Sequence, residues 1–186
     1  MFQNLIQLDG NILIWIQENV RNDVLTPIFK FITHLGDSGS IWIVLSLLLL
    51  VSRKTRKVGF AALLALLLSL IVNNGILKNV VGRTRPYDAV EGLRALIGRQ
   101  RDLSFPSGHT GSSFAAAIVL YRSLPKKYGV PALVLAALIG LSRLYVGVHY
   151  PTDVIFAAFS GTLLGLLALK MTNGAWDRWI LGRSKK

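Results

Sequence analysis

Long apolar stretches separated by short charged segments dominate the sequence. Five of them stand out, at Ser38–Ser52, Val58–Leu77, Gly108–Leu124, Val130–Val148 and Thr152–Thr172. A helix needs about 20 residues, or about 17 for a tight fit, to cross the hydrocarbon core of a bilayer. The first stretch is slightly short, and the others reach or nearly reach that length. The pattern therefore predicts an all-α integral membrane bundle.

A weaker apolar segment, Val24–Gly36, carries Pro27, Lys30 and His34. It fits either a short span packed inside the bundle or a helix in the membrane interface, and we favour the span. Together with the five longer stretches, it brings the prediction to about six transmembrane helices.

The N-terminal segment 1–20 has a different pattern. Within Phe2–Ile16 the apolar residues fall near one side of a helix and the polar ones elsewhere. The apolar set is Leu5, Ile6, Leu8, Ile12, Trp15 and Ile16. Such a helix lies on a membrane surface or caps the bundle, and the pattern fits both equally. Met1–Gly10 lacks the features of a cleavable signal peptide, so none is expected.

Composition agrees with a membrane protein. Hydrophobic residues make up 52% of the 186 residues and charged residues 16%, against about 25% charged in an average soluble domain. The length suits one domain, residues 1–186. Cysteine is absent, which excludes disulfides and cysteine-ligated metals.

The net charge of +12 would suggest a nucleic-acid partner in a soluble protein. Here the basic residues fall in short runs between apolar stretches, so no such partner is expected. The segments on one predicted face carry 12 basic residues against Asp177, a net of +11, whereas the other face has a net of +3. Because basic loops stay in the cytoplasm, the less basic face is predicted to point outward. Trp176 and Trp179 fit an interfacial aromatic belt.

Three polar clusters lie at the ends of spans, all on the less basic face. They are Lys78–Pro86, Pro106–His109 and Ser142–Asp153. Ionisable groups at membrane depth are costly and point to function. The cations Lys78, Arg85 and Arg143 suit phosphate oxygens. Ser107 reads as a helix N-cap, and Gly108 would allow close approach of an anion to the backbone N–H groups.

The third cluster contains a pair suited to nucleophilic catalysis. Asp153 follows His149 by four residues, with Pro151 near the first helical turn. Asp153 can therefore hold one imidazole nitrogen and leave the other free to attack phosphorus. His109 remains to protonate the leaving oxygen and then to activate water.

These motifs resemble the type 2 phosphatidic acid phosphatase family, whose signature is Lys-x6-Arg-Pro, Pro-Ser-Gly-His and Ser-Arg-x5-His-x3-Asp. All three are intact between Lys78 and Asp153. The resemblance implies a bundle of usually six helices and metal-independent hydrolysis of phosphomonoesters or diphosphates, with no cofactor. It makes His149 the nucleophile, Asp153 its partner and His109 the general acid. The phosphate ligands it implies are Lys78, Arg85, Ser107, Gly108 and Arg143.

Several alternatives stay open. The expected partners are a lipid phosphate and the bilayer of the cell membrane, and the oligomeric state is open. A compact chain with an outward site resembles the undecaprenyl diphosphate phosphatases, while phosphatidylglycerophosphate and phosphatidic acid phosphatases fit almost as well. The loop Gly82–Phe105 is the obvious headgroup selector. A lipid phosphotransferase would share the phosphohistidine. An anion transporter or channel would share the cations but has no use for the His149–Asp153 pair.

Overall fold

The computed structural model describes the backbone of residues 2–183 and the side chains of residues 6–174. Within that part of the chain the regular structure is entirely helical. The helices are α1 (Phe2–Asn19), α2 (Leu25–Leu35), α3 (Ser40–Val51), α4 (Arg56–Ser69), α5 (Lys78–Val81), α6 (Pro86–Ala89), α7 (Gly108–Ser123), α8 (Lys126–Tyr145) and α9 (Pro151–Arg183). The side chains of the predicted aromatic belt, Trp176 and Trp179, lie outside the described residues.

Three of the described helical stretches are long and apolar enough to cross a membrane: Arg56–Ala89, Lys126–Tyr145 and Pro151–Gly174. The bent pair formed by α2 and α3 makes a fourth if it is counted as one span. The predicted span Gly108–Leu124 corresponds to α7, which has 16 residues, or about 24 Å of helix. It packs between α4, α8 and α9 in the middle of the bundle.

The weak segment 24–36 does not cross the membrane by itself. Helix α2 has 11 residues, which amounts to about 16 Å and is half of the roughly 30 Å hydrocarbon core. A 3₁₀ turn at Asp37–Gly39 joins it to α3, and the two helices meet at 47°. Ser38 and Gly39 have φ of 53° and 68° in this turn. The two predicted spans therefore form a pair of short helices joined by a bend.

Small residues let the central helices approach closely. A methyl group on Gly161 would lie 2.3 Å from the carbonyl oxygen of Gly111, and one on Gly165 would lie 2.5 Å from that of Ala115. Backbone contact of this kind favours helix association in lipid, where apolar side chains gain little by leaving the bilayer. Helix α9 is thereby held against α7, which carries the second motif.

Helix α1 caps one end of the bundle. Leu13 and Asp9 are buried, and Leu13 packs with Leu93 and Tyr150. Other residues of its apolar side remain exposed: Ile6, Leu8, Ile12 and Trp15. The structure thus supports the prediction of a cap, and α1 still offers apolar side chains to its surroundings.

The helix that begins as α4 changes from α-helical to π-helical geometry before the first motif. Residues Leu70–Leu77 are π-helical and lead directly into α5, which begins at Lys78. Such stretches occur often at functional sites. The Gly82–Phe105 segment that follows contains the short helix α6 and otherwise runs irregularly over the same end of the bundle as α1.

Candidate active site

The three motifs meet around one cavity of about 610 Å³. Its polar wall contains the predicted site residues Lys78, Arg85, Gly108, His109, Arg143 and His149. Its apolar wall comes from α3, α4 and the π-helical stretch, and consists of Ile43, Leu63, Leu66, Leu67 and Leu70. The cavity therefore combines a cationic end with an apolar side.

Two of the eight predicted site residues do not line this cavity, and both support residues that do. Ser107 is buried and accepts a hydrogen bond from the backbone N–H of Thr110, as predicted for an N-cap. Asp153 is buried behind His149. The structure brings together the other six.

Arg143 has unused hydrogen-bonding capacity. Its side chain is 1% exposed, and one terminal nitrogen donates to Thr33 Oγ1 at 2.6 Å. Its Nε has no partner among the described residues. A buried donor without an acceptor is costly, and the cavity it lines is the natural place for an anion that would supply one.

The geometry defines which nitrogen of His149 carries the proton. Arg85 places a guanidinium nitrogen 2.9 Å from His149 Nε2. Because arginine only donates, Nε2 must accept, and the ring is neutral with its proton on Nδ1. Nδ1 faces an Asp153 carboxylate oxygen at 3.4 Å, a long hydrogen bond. Nε2 therefore carries the ring's lone pair, which accepts the hydrogen bond from Arg85 at the cationic end of the cavity.

Burial and neighbouring positive charges both lower the pKa of His149. Burial lowers its pKa well below 6.5, and the positive charges of Arg85 and Arg143 lower it further. The imidazole accordingly stays neutral and nucleophilic at neutral pH. Gly147, with φ of 76°, allows the tight turn that returns the chain from α8 to this position.

Asp153 is fixed by more partners than the sequence indicates. One oxygen accepts from Arg83 at 2.6 Å. The other accepts from Ser104 Oγ at 2.5 Å and from the Tyr150 backbone N–H at 3.0 Å. With His149, these contacts hold the carboxylate in one orientation.

Arg83 links this carboxylate to helix α1. Its second terminal nitrogen donates to Asp9 at 2.7 Å, and its guanidinium lies 3.7 Å above the Tyr150 ring. Asp9 also accepts from the backbone and hydroxyl of Thr152. Sequence reasoning missed this network, although Arg83 lies inside the first motif. Asp9 offered no signal beyond being an acidic residue in an amphipathic helix.

His109 has a carboxylate partner that was also missed. Its Nε2 lies 2.8 Å from an oxygen of Asp37, and the other oxygen of Asp37 lies 2.8 Å from His34 Nδ1. Asp37 sits in the turn between α2 and α3. It is 72 residues from His109, so no local spacing could reveal the pair.

Gly108 begins α7, with the side chain of Asn74 beside it. A methyl group on Gly108 would lie 2.9 Å from the Asn74 amide oxygen. The absence of a side chain therefore permits this close approach of Asn74. Gly108 lines the cavity, and the positive end of α7 favours an anion there. Among the described residues no group of three His, Cys, Asp or Glu side chains is arranged to hold a metal ion.

Comparison with known proteins identifies the family. The PAP2 superfamily matches residues 58–177, more than half of the chain. The undecaprenyl-diphosphatase of Sulfolobus acidocaldarius is 30% identical over 72% of this chain and 64% of its own length. The undecaprenyl-diphosphatase BcrC of Bacillus subtilis is 31% identical over 82% of this chain and 78% of its own length. The chain thus spans less than two thirds of the first relative.

A solved structure shares the fold. The transmembrane PAP2-type phosphatidylglycerolphosphate phosphatase of Bacillus subtilis superposes with a TM-score of 0.71 at 29% identity, covering 94% of this chain and 87% of the other. The chain belongs to the PAP2 superfamily, and its all-helical bundle is that of a membrane protein. The family prediction drawn from the three motifs is thereby confirmed.

Proposed function

We propose that this chain is a lipid phosphatase that works through a phosphohistidine on His149. The observation that carries the proposal is the neutral imidazole whose unprotonated Nε2 lies beside buried cations. An anion-binding protein needs the cations alone. A nitrogen nucleophile oriented by a carboxylate adds the means to break a phosphate ester.

In the first step His149 Nε2 attacks phosphorus, and the bond to the leaving oxygen breaks. Lys78, Arg85 and Arg143 hold the phosphate oxygens together with the N–H groups at the start of α7, where Ser107 and Gly108 lie. Asp153 stabilises the positive charge that develops on the His149 ring. His109 donates a proton to the leaving oxygen.

In the second step water hydrolyses the phosphohistidine. His109, now deprotonated, takes a proton from the attacking water, and orthophosphate leaves His149 as a neutral imidazole. A phosphotransferase would replace water by another acceptor. An assay with added lipid alcohols distinguishes the two, since only a transferase forms a new phosphorylated lipid.

The proposed substrate is undecaprenyl diphosphate. The cavity favours an amphiphile, because its cationic end adjoins an apolar wall formed by α3 and α4. Two relatives are named as undecaprenyl diphosphatases. The runner-up is phosphatidylglycerophosphate, which is the named substrate of the structural neighbour, and phosphatidic acid follows.

A substrate panel tests this proposal. Purified enzyme in detergent is offered undecaprenyl diphosphate, phosphatidylglycerophosphate and phosphatidic acid, with and without EDTA, and released orthophosphate is measured. We expect the highest kcat/KM on undecaprenyl diphosphate and the same rates with EDTA, since three cations already meet the phosphate charge. A preference for a glycerophospholipid would change the substrate, and a strict need for added Mg²⁺ would contradict the mechanism.

We further propose that the protein lies in the cell membrane with its site outward, because the charge difference between the two faces follows the positive-inside rule. The chain has no cysteine, so single cysteines report unambiguously. Lys54→Cys and Gly98→Cys occupy exposed positions. In intact cells an impermeant thiol reagent should label Gly98→Cys and leave Lys54→Cys unlabelled. The reverse pattern would place the site in the cytoplasm.

A further inference from the structure

The carboxylate of Asp102 joins two of the cations that the proposed mechanism assigns to phosphate. One of its oxygens pairs with Lys78 Nζ, and the other accepts from Arg85 Nη2 at 2.5 Å. The Asp102 backbone oxygen also accepts from Arg85 Nε at 3.0 Å. None of the three motifs contains Asp102, which lies in the irregular segment before Pro106.

The environment differs sharply between the carboxylate and its partners. Lys78 and Arg85 are almost fully buried, whereas the Asp102 side chain is 52% exposed and lines the cavity beside His109 and Arg143. Burial raises the pKa of Asp102, but Lys78 and Arg85 outweigh this effect and lower it to about 2. The carboxylate is therefore charged throughout the physiological pH range.

We propose that Asp102 is a resident anion, which the phosphate of the substrate displaces and which returns to Lys78 and Arg85 as orthophosphate leaves. Carboxylate and phosphate oxygens have the same preference for a guanidinium fork and an ammonium group. Both cannot occupy the same donors at once. The inference rests on the proposed function for the identity of the incoming anion.

The balance of charges explains how a phosphate can displace Asp102 from Lys78 and Arg85. Asp102 neutralises one of the three cations Lys78, Arg85 and Arg143, so the cavity keeps a net positive charge. Arg143 Nε has no hydrogen-bond partner among the described residues, and Arg143 lines the same cavity as Gly108 at the start of α7, so both places offer additional donors. A phosphate dianion can use all of these groups, whereas the carboxylate reaches two side chains.

The exchange has a cost and a benefit for the enzyme. Displacing Asp102 weakens the apparent affinity for every phosphate, substrate and product alike. Asp102 also replaces the product anion when orthophosphate leaves. Without it, the like charges of Lys78 and Arg85 would stay buried side by side with no anion to neutralise them. Asp102 should therefore hold down product inhibition and speed release of orthophosphate.

A purely structural role for Asp102 predicts the opposite result. If the carboxylate served only to anchor its loop, removing its charge would loosen Arg85 and weaken phosphate binding. Asp102→Asn separates the two roles, because it keeps the size of the side chain and the backbone contact with Arg85 Nε. Asp102→Ser provides a second neutral variant if the first does not fold.

The experiment measures orthophosphate in two independent ways on purified protein. Its inhibition constant is determined in the lipid phosphatase assay, and its dissociation constant is determined by calorimetry without lipid. We expect Asp102→Asn and Asp102→Ser to bind orthophosphate about tenfold more tightly, and KM for the lipid to fall while kcat stays constant or decreases. Asp102→Glu keeps the charge and should stay within about threefold of wild type.

Asp88→Asn is the matched control. Asp88 carries the same charge in the same Gly82–Phe105 segment but pairs at 3.0 Å with the exposed Arg99. Orthophosphate binding should stay within about twofold in this variant. Unchanged or weaker binding in the Asp102 variants would overturn the inference. Tighter calorimetric binding in a protein that hydrolyses no lipid phosphate would support the inference while removing the proposed function.

Discussion

The two histidines that line the cavity, His149 and His109, each pair with an aspartate, and the surroundings of the two pairs differ. His149 and Asp153 are 2% and 0% exposed, and Asp153 is held by Arg83, Ser104 and the backbone in addition to the histidine. His109 and Asp37 are 17% and 54% exposed, and the other oxygen of Asp37 pairs with His34. The first pair is fixed in the interior, whereas the second reaches water through the half-exposed Asp37. We call them the buried pair and the open pair.

This difference matches the chemistry proposed for each pair. A nucleophile must present one nitrogen in one orientation, so its partner is best held by several buried contacts. A group that gives a proton to a departing oxygen and later takes one from water needs access to both. Similar side chains can thus serve different steps because burial, rather than residue type, sets how freely each ring exchanges protons and partners.

The largest expected effect is the loss of His149, the proposed nucleophile. His149→Ala should lower kcat by about a millionfold, as for other members of a coordinated catalytic group, and should do so for every leaving group. Orthophosphate release from lipid and from an activated aryl phosphate provides the measurement. Residual activity above a tenth of wild type would exclude His149 as the nucleophile.

Removing the charge of Asp153, the partner of His149, should have a smaller effect on kcat. Asp153→Asn keeps the shape but no longer fixes the Nδ1–H tautomer, and the corresponding change in a catalytic triad costs about 10⁴-fold in kcat. The loss should again be similar for good and poor leaving groups. A thermal unfolding scan serves as the control, because Asp153 also anchors Arg83.

The open pair should respond to the leaving group. His109→Ala should lose about 10²–10⁴-fold on a lipid monophosphate, whose alkoxide needs a proton, and less on an activated aryl phosphate, whose phenolate does not. A phosphohistidine on His149 should also accumulate, since water attack would be slow. Equal losses for His109→Ala and His149→Ala across leaving groups would mean that the two roles are assigned wrongly.

The smallest expected effect concerns Asp37. Because this carboxylate is half exposed, its hydrogen bond to His109 is partly screened by water, and Asp37→Asn should cost about tenfold or less on the poor leaving group. His34→Ala is the matched control, since it removes the other partner of Asp37 and leaves the contact with His109. A loss as large as that of His109→Ala would show that the open pair is as dependent on its carboxylate as the buried one.

The sequence predicted those parts of the site that depend on local spacing. The four-residue step from His149 to Asp153 and the N-cap at Ser107 follow from helix geometry, and both occur in the structure. The partners Asp37, Asp102 and Asp9 come from separate segments, and only tertiary packing brings them to their cations and histidines. The spacing of residues along the sequence does not indicate such contacts between distant segments.

The fold shows the same division. Apolar length predicted α4, α8 and α9, because hydropathy depends on composition alone. It did not predict the 47° bend between the helices of 24–36 and 38–52, since the bend depends on the backbone of the turn at Ser38 and Gly39. Helix α7 was found, yet its position in the centre of the bundle reflects the small residues that let α9 approach it.

The π-helical stretch Leu70–Leu77 has a consequence for the spacing of the chain. A π-turn holds one residue more than an α-turn because its hydrogen bonds run to the fifth residue along the chain. In a regular α-helix each residue advances by about 100°, so a one-residue deletion in α4 would rotate Lys78 by about that angle. The same deletion within Leu70–Leu77 would convert a π-turn into an α-turn and leave Lys78 facing Asp102. The stretch is therefore the part of this long helix in which a change of chain length can be absorbed without moving the cation.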